Sequence, residues 1–169
     1  KDALHFILTG GTIDSFYDGA IDTVKPYSKS ILPSYIKNLK LYQKTIFTQV
    51  CMKDSRNINT KDRQKIAQVI SRSPQEKFII THGTYTMPDT ARFIEAHLKR
   101  KKPKIVFTGS MVPLAAFSNS DAAFNLGYSI AKISHLRPGV YVCMNGRIFK
   151  PLEIQKLIGE GRFASIFQE

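Results

Sequence analysis

Hydrophobic and polar positions along this chain follow two alternating rhythms. Short apolar runs of strand length recur, and each gives way to polar residues. Ala3–Leu8, Thr45–Cys51, Lys77–Thr81, Lys104–Thr108 and Gly139–Met144 predict strands, the first of them buried. Between them, apolar residues repeat at helical spacing. Ser30–Leu39 predicts a short helix, with Ser30 as cap and Pro33 in its first turn. Asn59 or Thr60 caps a second helix to about Arg72, with Ile66, Val69 and Ile70 on one face. Pro88 and Asp89 fit the first turn of a third, which carries Phe93, Ile94, His97 and Leu98 to about Arg100. A fourth runs from near Ser120 to Ser134, carrying Ala123, Phe124, Gly127, Ile130 and Ile133. Asn145-Gly146 signals a type I′ turn, so Arg147–Phe149 should pair back antiparallel. Thr9–Lys29 reads as a long loop, and Leu152–Phe167 as partly helical or irregular.

Strands alternating with helices predict an α/β fold: a three-layer sandwich, its mostly parallel sheet flanked by helices. No repeat, low-complexity segment or linker interrupts the chain, so residues 1–169 are expected to form a single domain.

Composition narrows the function classes. The 169 residues are 43% hydrophobic, which suits a soluble globular domain. No apolar run approaches the roughly 18 residues of a membrane span. The expected location is the cytoplasm; export stays open because the chain begins at Lys1 rather than Met. Net charge is +12, but the charges are dispersed. The densest cluster, Lys99-Arg100-Lys101-Lys102-Lys104, reads as a solvated helix end, where cations suit the helix dipole. No aromatic residues interleave with it as a stacking platform, which argues against nucleic acid. Cys51 and Cys143 lack a CxxC partner and read as buried free thiols. No histidine pair has zinc-ligand spacing, and neither metal nor cofactor is expected.

Candidate chemistry lies where strands end. Thr9–Thr12, Thr81–Thr86 and Thr108–Ser110 are polar, glycine-containing loops after the first, third and fourth strands. Asp54–Asn57 follows the second. All should emerge at one edge of a parallel sheet, where such sheets bind ligands. Hydroxyls and backbone amides with little acidic charge suit a carboxylate-bearing ligand. Taken alone, Thr12 is either the cap of an ordinary strand-to-helix turn or a nucleophile served by a nearby base.

Taken together, these loops resemble the bacterial-type L-asparaginase/glutaminase family. Thr9-Gly10-Gly11-Thr12-Ile13 is similar to its first signature. Thr81-His82-Gly83-Thr84-Tyr85-Thr86-Met87 is similar to its second, which usually reads His-Gly-Thr-Asp-Thr. Thr108-Gly109-Ser110-Met111-Val112-Pro113 and Ser120-Asp121-Ala122-Ala123-Phe124-Asn125-Leu126 resemble the next strand end and helix. The resemblance covers the family's larger, N-terminal domain; its smaller C-terminal domain is expected to be absent. It implies an amidohydrolase that releases ammonia through a threonine acyl-enzyme. Thr12 matches the nucleophile, and Thr84 and Lys156 match the proton-handling pair. Ser55 matches the serine that holds the substrate's α-carboxylate. Gly11, Arg56, Gly83, Tyr85 and Ser110 complete the expected substrate contacts, with Gly11 and Thr84 offering N–H groups to the oxyanion. The resemblance also implies a homo-oligomer, a dimer, acting on a small amide or amino acid.

The chain departs from the family pattern where charge matters. Tyr85 replaces the acid that contacts the substrate ammonium. The C-terminal domain normally sends a second acid towards the same group. Asp22 stands where the family has a mobile-loop tyrosine, and Tyr17 or Tyr27 is the possible substitute. Weak activity on free asparagine is expected, or a preference for an amide whose α-amino group is absent or blocked. The alternatives are an asparaginase-fold binding protein for aspartate or a dicarboxylate, and a tRNA-linked amidotransferase component.

Overall fold

A computed structural model describes residues 2–99 and 102–167. Strand β1 (Leu4–Gly10) is buried along its whole length. A short hairpin follows, β2 (Ser15–Asp18) and β3 (Thr23–Pro26), then helix α1 (Leu32–Asn38). Next come β4 (Thr45–Lys53), α2 (Thr60–Arg72), β5 (Lys77–Thr81), α3 (Met87–His97) and β6 (Lys104–Thr108). Helix α4 (Ala122–Ile133) leads to β7 (Gly139–Met144) and β8 (Arg147–Phe149), and the hairpin β9 (Ile154–Leu157) and β10 (Arg162–Ser165) ends the described chain.

The main sheet has six strands in the order β4-β1-β5-β6-β7-β8. All neighbours are parallel except β8, which returns antiparallel from β7. Asn145 and Gly146 both take positive φ, 54° and 72°, as the tight turn between them requires.

Successive residues of a strand face opposite sides, and here both sides are covered. Ile7, Phe78, Ile80, Ile105, Phe107, Val140 and Val142 pack with Ile66 and Ile70 of α2 and Ala91 and Ile94 of α3. Their alternates Phe6, Leu8, Ile79, Val106 and Cys143 pack with Leu32 and Ile36 of α1 and Leu126 and Ile133 of α4. The result is the expected three-layer α/β sandwich. In α4 the buried face is Ala122, Asn125, Leu126, Ser129 and Ile133, while Phe124 is exposed. This rotation from the apolar pattern follows from Asn125, whose amide is drawn in to bond the Gly109 carbonyl at 2.9 Å.

Two segments differ from the sequence reading. Thr9–Lys29 is not all loop: β2 and β3 pair antiparallel from Ser15↔Pro26 to Asp18↔Thr23. Leu152–Phe167 is mainly a hairpin, since β9 and β10 pair with Lys156 opposite Phe163, and its helical part is a single 3-10 turn between them, Ile158–Glu160. Ile154 and Phe163 plug this hairpin into the core, while its other apolar residues, Leu157, Ile158 and Ala164, are not buried. The cysteines are free; Cys143 is buried and Cys51, on edge strand β4, only half-buried. In the basic cluster, Arg100 and Lys101 lie outside the described residues, and Lys104 Nζ donates to the Ser134 carbonyl at 2.7 Å. No helix among the described residues is long and apolar enough to cross a membrane.

Phe107 is fully buried on a central strand. Phe107→Ala is expected to cost about 3–5 kcal/mol of stability, read as a lower midpoint in urea unfolding.

Candidate active site

The ends of β1, β4 and β5 meet so closely that two glycines are needed. Gly11 has φ +79°, and a Cβ there would lie 2.3 Å from the Gly83 nitrogen. A Cβ on Gly83 would in turn lie 2.7 Å from that of Ser55. The turns after the three strands are thus in backbone contact. Strand-end threonines tie the sheet behind them. Thr9 Oγ1 donates to the Thr81 carbonyl at 2.7 Å, and Thr108 Oγ1 to the Cys143 carbonyl at 2.9 Å.

A cleft of about 240 Å³ opens at this junction. Thr12 faces it from the first residue of a 3-10 turn, Thr12–Asp14. The Thr12 hydroxyl makes no hydrogen bond among the described residues. The turn beneath it is braced. Ser15 Oγ donates to the Gly11 carbonyl at 2.7 Å, and buried Asp14 accepts the Ile31 N–H at 2.9 Å. Burial raises the Asp14 carboxyl pKa. The Tyr27 N–H donates to the Asp14 carbonyl at 3.0 Å, which draws β3 over the cleft. Val24 and Pro26 form that wall.

The β4 end supplies Asp54, Ser55 and Arg56. Asp54 caps its own turn by accepting the Arg56 N–H at 2.9 Å. Its carboxylate also accepts Arg56 Nε at 3.0 Å and Nη2 at 2.7 Å. That pairing holds the Asp54 carboxyl below the usual range. Ser55 is buried, and its Oγ accepts the Thr86 N–H at 3.2 Å. Its own hydroxyl proton has no acceptor among the described residues.

The β5 end supplies Gly83, Thr84 and Tyr85, and β9 supplies Lys156. Lys156 Nζ donates to Thr84 Oγ1 at 2.7 Å. Thr84 is buried and Lys156 half-buried. No carboxylate forms an ion pair with Lys156 among the described residues. Burial and the nearby Arg56 cation lower the Lys156 pKa, partly offset by Asp54. The Tyr85 ring has Lys156 Nζ 5.7 Å and Arg56 Cζ 5.9 Å from its centroid.

The cleft therefore brings together Thr12, Thr84 and Lys156 with Gly11, Ser55, Arg56, Gly83 and Tyr85. It does not reach Ser110, whose Oγ donates to the Val112 carbonyl at 2.6 Å. The Asp121 carboxylate takes the N–H groups of Met111 and Val112, each at 3.0 Å, and folds that loop onto α4. The Gly11 N–H is also unavailable, because it donates to the Lys53 carbonyl at 2.9 Å. The N–H groups of Thr12 and Thr84 have no partner among the described residues. Neither Tyr17 nor Tyr27 lines the cleft. The Tyr17 hydroxyl donates to Asp22, and Tyr27 packs on Phe16 with ring centroids 5.0 Å apart.

Several groups in or around the cleft are invisible to motif reading. Ser15, Val24 and Pro26 line it only because β2 and β3 fold back. Arg92 Nη2 donates to the Ile154 carbonyl at 2.8 Å, and Asn145 accepts the Phe163 N–H at 2.9 Å. These bonds anchor the hairpin that carries Lys156. The Asn145-Gly146 turn was the one available signal, and it indicated a hairpin rather than an anchor.

The fold and cleft define an α/β protein with a hydroxyl-lined, cationic site at the carboxyl edge of its sheet. Residues 3–165 match the family described as asparaginase, N-terminal, and the chain belongs to that family. It is 30% identical to L-asparaginase 2 of Escherichia coli (strain K12) over 158 residues, 89% of this chain and 45% of that protein. It superposes on a probable cytoplasmic L-asparaginase from Campylobacter jejuni with TM-score 0.80 at 28% identity, covering 98% of this chain and 53% of that one. For the thermostable L-asparaginase from Thermococcus kodakarensis the TM-score is 0.82 at 26% identity, covering 99% and 52%. The chain thus spans about half the length of these relatives.

Gly11→Ala forces a side chain into left-handed backbone and against Gly83. A loss of at least about 2 kcal/mol is expected in chemical denaturation. An unchanged midpoint would mean that the strand ends can separate freely.

Proposed function

We propose that this chain is an asparaginase-like amidohydrolase that releases ammonia from a carboxylate-bearing amide through a Thr12 acyl-enzyme. The observation that carries this reading is the 2.7 Å contact between Lys156 Nζ and Thr84 Oγ1, in the cleft that Thr12 also lines.

The chemistry needs a base, a nucleophile and a place for negative charge. A lysine serves as base only when neutral, and burial next to a cation favours that form. Neutral Lys156 accepts a proton where charged Lys156 donates one, so the Thr84 hydroxyl can relay a proton to it. Thr12 Oγ1 attacks the amide carbon as its proton passes to the pair. The N–H groups of Thr12 and Thr84 are the free donors for the oxyanion. The C–N bond breaks, the proton returns to the leaving nitrogen, and ammonia departs. Water then attacks the ester, yielding the carboxylic acid and the restored Thr12 hydroxyl. The Ser55 hydroxyl, with its proton uncommitted, holds the substrate carboxylate. The whole cycle consumes one water and requires no metal or cofactor.

In an ammonia-release assay over L-asparagine, L-glutamine and simple carboxylate-bearing amides, Thr12→Ala is expected to lose roughly a thousandfold or more in rate. Undiminished release in that variant would remove Thr12 from the reaction. Binding of aspartate without any turnover in the parent protein would favour a binding protein instead.

The base predicts a pH dependence. Activity should rise as Lys156 deprotonates, at lower pH than for an ordinary lysine. Arg56→Gln removes a cation and frees the Asp54 charge. Both changes favour protonated Lys156, so the alkaline rise in kcat/KM should move to higher pH. A rise that stays in place would exclude this base.

A further inference from the structure

The cleft has an unusual charge inventory for a site that would take an amino acid. Lys156 and Arg56 are its cations, and Asp54 is the one acid that lines it among the described residues. Both Asp54 oxygens are occupied by Arg56, at 3.0 and 2.7 Å. Among the described residues, Lys156 has no carboxylate partner within ion-pair distance. The next acid, Asp89, lies in a neighbouring groove that shares Tyr85 and Lys156 with the cleft. Asp89 is already paired with Arg92 at 3.5 Å. With Lys156 neutral as the base, a free ammonium in the cleft would meet the Arg56 cation and, among the described residues, no uncommitted anion. The Tyr85 ring does not change this balance. Its π face is already within 5.7 Å of Lys156 Nζ and 5.9 Å of Arg56 Cζ.

We infer that Tyr85 and Arg56 select a carboxylate-bearing amide with no ammonium on its α-carbon, either a desamino or an N-acylated compound. This rests on the amidohydrolase reading above and names the substrate class of the same site. A carboxylate suits the cationic cleft and the uncommitted Ser55 hydroxyl. Replacing the ammonium by hydrogen or a neutral acylamide removes the repulsion from Arg56, and from Lys156 whenever it is protonated, and leaves no buried cation without a counter-charge. The Val24 wall offers room for an acyl group. Val24 also borders an adjoining apolar pocket of about 120 Å³, formed with Tyr17, Val112, Pro113 and Phe117.

The test compares succinamate, N-acetyl-L-asparagine and L-asparagine as substrates of the full chain. At least one of the first two should exceed L-asparagine tenfold or more in kcat/KM. Preference for N-acetyl-L-asparagine over succinamate would bring the apolar pocket into the site, and the reverse order would leave it out; both support the substrate class. L-asparagine equal to or better than both overturns the inference. Tyr85→Asp supplies a carboxylate beside both cations and should move the substrate ratio at least tenfold towards L-asparagine. Tyr85→Asp also favours protonated Lys156, which slows the reaction with every substrate, so the substrate ratio and not the absolute rate is the readout.

Calorimetry on Thr12→Ala provides a readout independent of turnover and of whether Tyr85→Asp folds. Succinate should bind at least tenfold more tightly than L-aspartate; equal or reversed affinities overturn the inference. Absence of ammonia release from all three amides would defeat the hydrolase reading alone, since the succinate-to-aspartate comparison still decides the charge selection.

Discussion

The structure depends on a backbone contact that no side chain could make. Gly11 lies so close to Gly83 that a single methyl group would overlap the next strand's turn. This contact sets how near the turns after β1 and β5 can come. Thr12 follows one glycine and Thr84 the other, so the approach of two backbones decides how far apart two hydroxyls stand. The sheet behind them is stiffened by strand-end threonines that bond across to neighbouring carbonyls. Thr12, Ser55 and Thr84 thus sit on short turns pinned to the sheet, and Lys156 on strand β9, which suits chemistry that demands sub-ångström placement.

Electrostatics then act within that frame. Lys156 reaches Thr84 from a hairpin held by Arg92, Asn145 and the buried side chains of Ile154 and Phe163. Half-burial without a carboxylate partner costs the charged lysine more than the neutral one. Arg56 adds to this effect and is itself held in place by Asp54. Among the described residues, the lowered lysine pKa and the lack of a free anion in the cleft share this arrangement of charges. A carboxylate added beside Lys156 would welcome an ammonium but would also stabilise the protonated base. The base and the substrate preference are thus coupled through one charge balance.

Much of the fold was legible because burial on both sheet faces writes itself into the chain as apolar runs. The strands over Lys77–Thr81, Lys104–Thr108 and Gly139–Met144 have the predicted bounds, and the turn at Asn145-Gly146 carries its characteristic dipeptide. The hairpins were not legible. β2 and β3 have four residues each and only Ser15 is buried, and their pairing depends on Asp14 binding both Tyr27 and Ile31. β9 and β10 bury only Ile154, Phe163 and Ser165, too few for a period to emerge. The buried face of α4 is not legible for a related reason: Asn125 is buried by its hydrogen bonds, which a hydrophobic pattern cannot register.

By itself the sequence determined the layer architecture and the chemical groups available at the sheet's carboxyl edge, since both follow from local order: strand, glycine, hydroxyl. Only the tertiary structure decided which of those groups share a cleft. Ser110 has the same local setting as Thr84, yet Asp121 gathers its loop onto α4 and turns it away. The Gly11 N–H looked as free as any other, yet the Lys53 carbonyl occupies it through the extension of β1 along β4. Lys156 is 72 residues from Thr84 in the chain and 2.7 Å from it in space. Long-range hydrogen bonds and charge neutralisation carry no periodic signal, so they appear only once the strands are assembled.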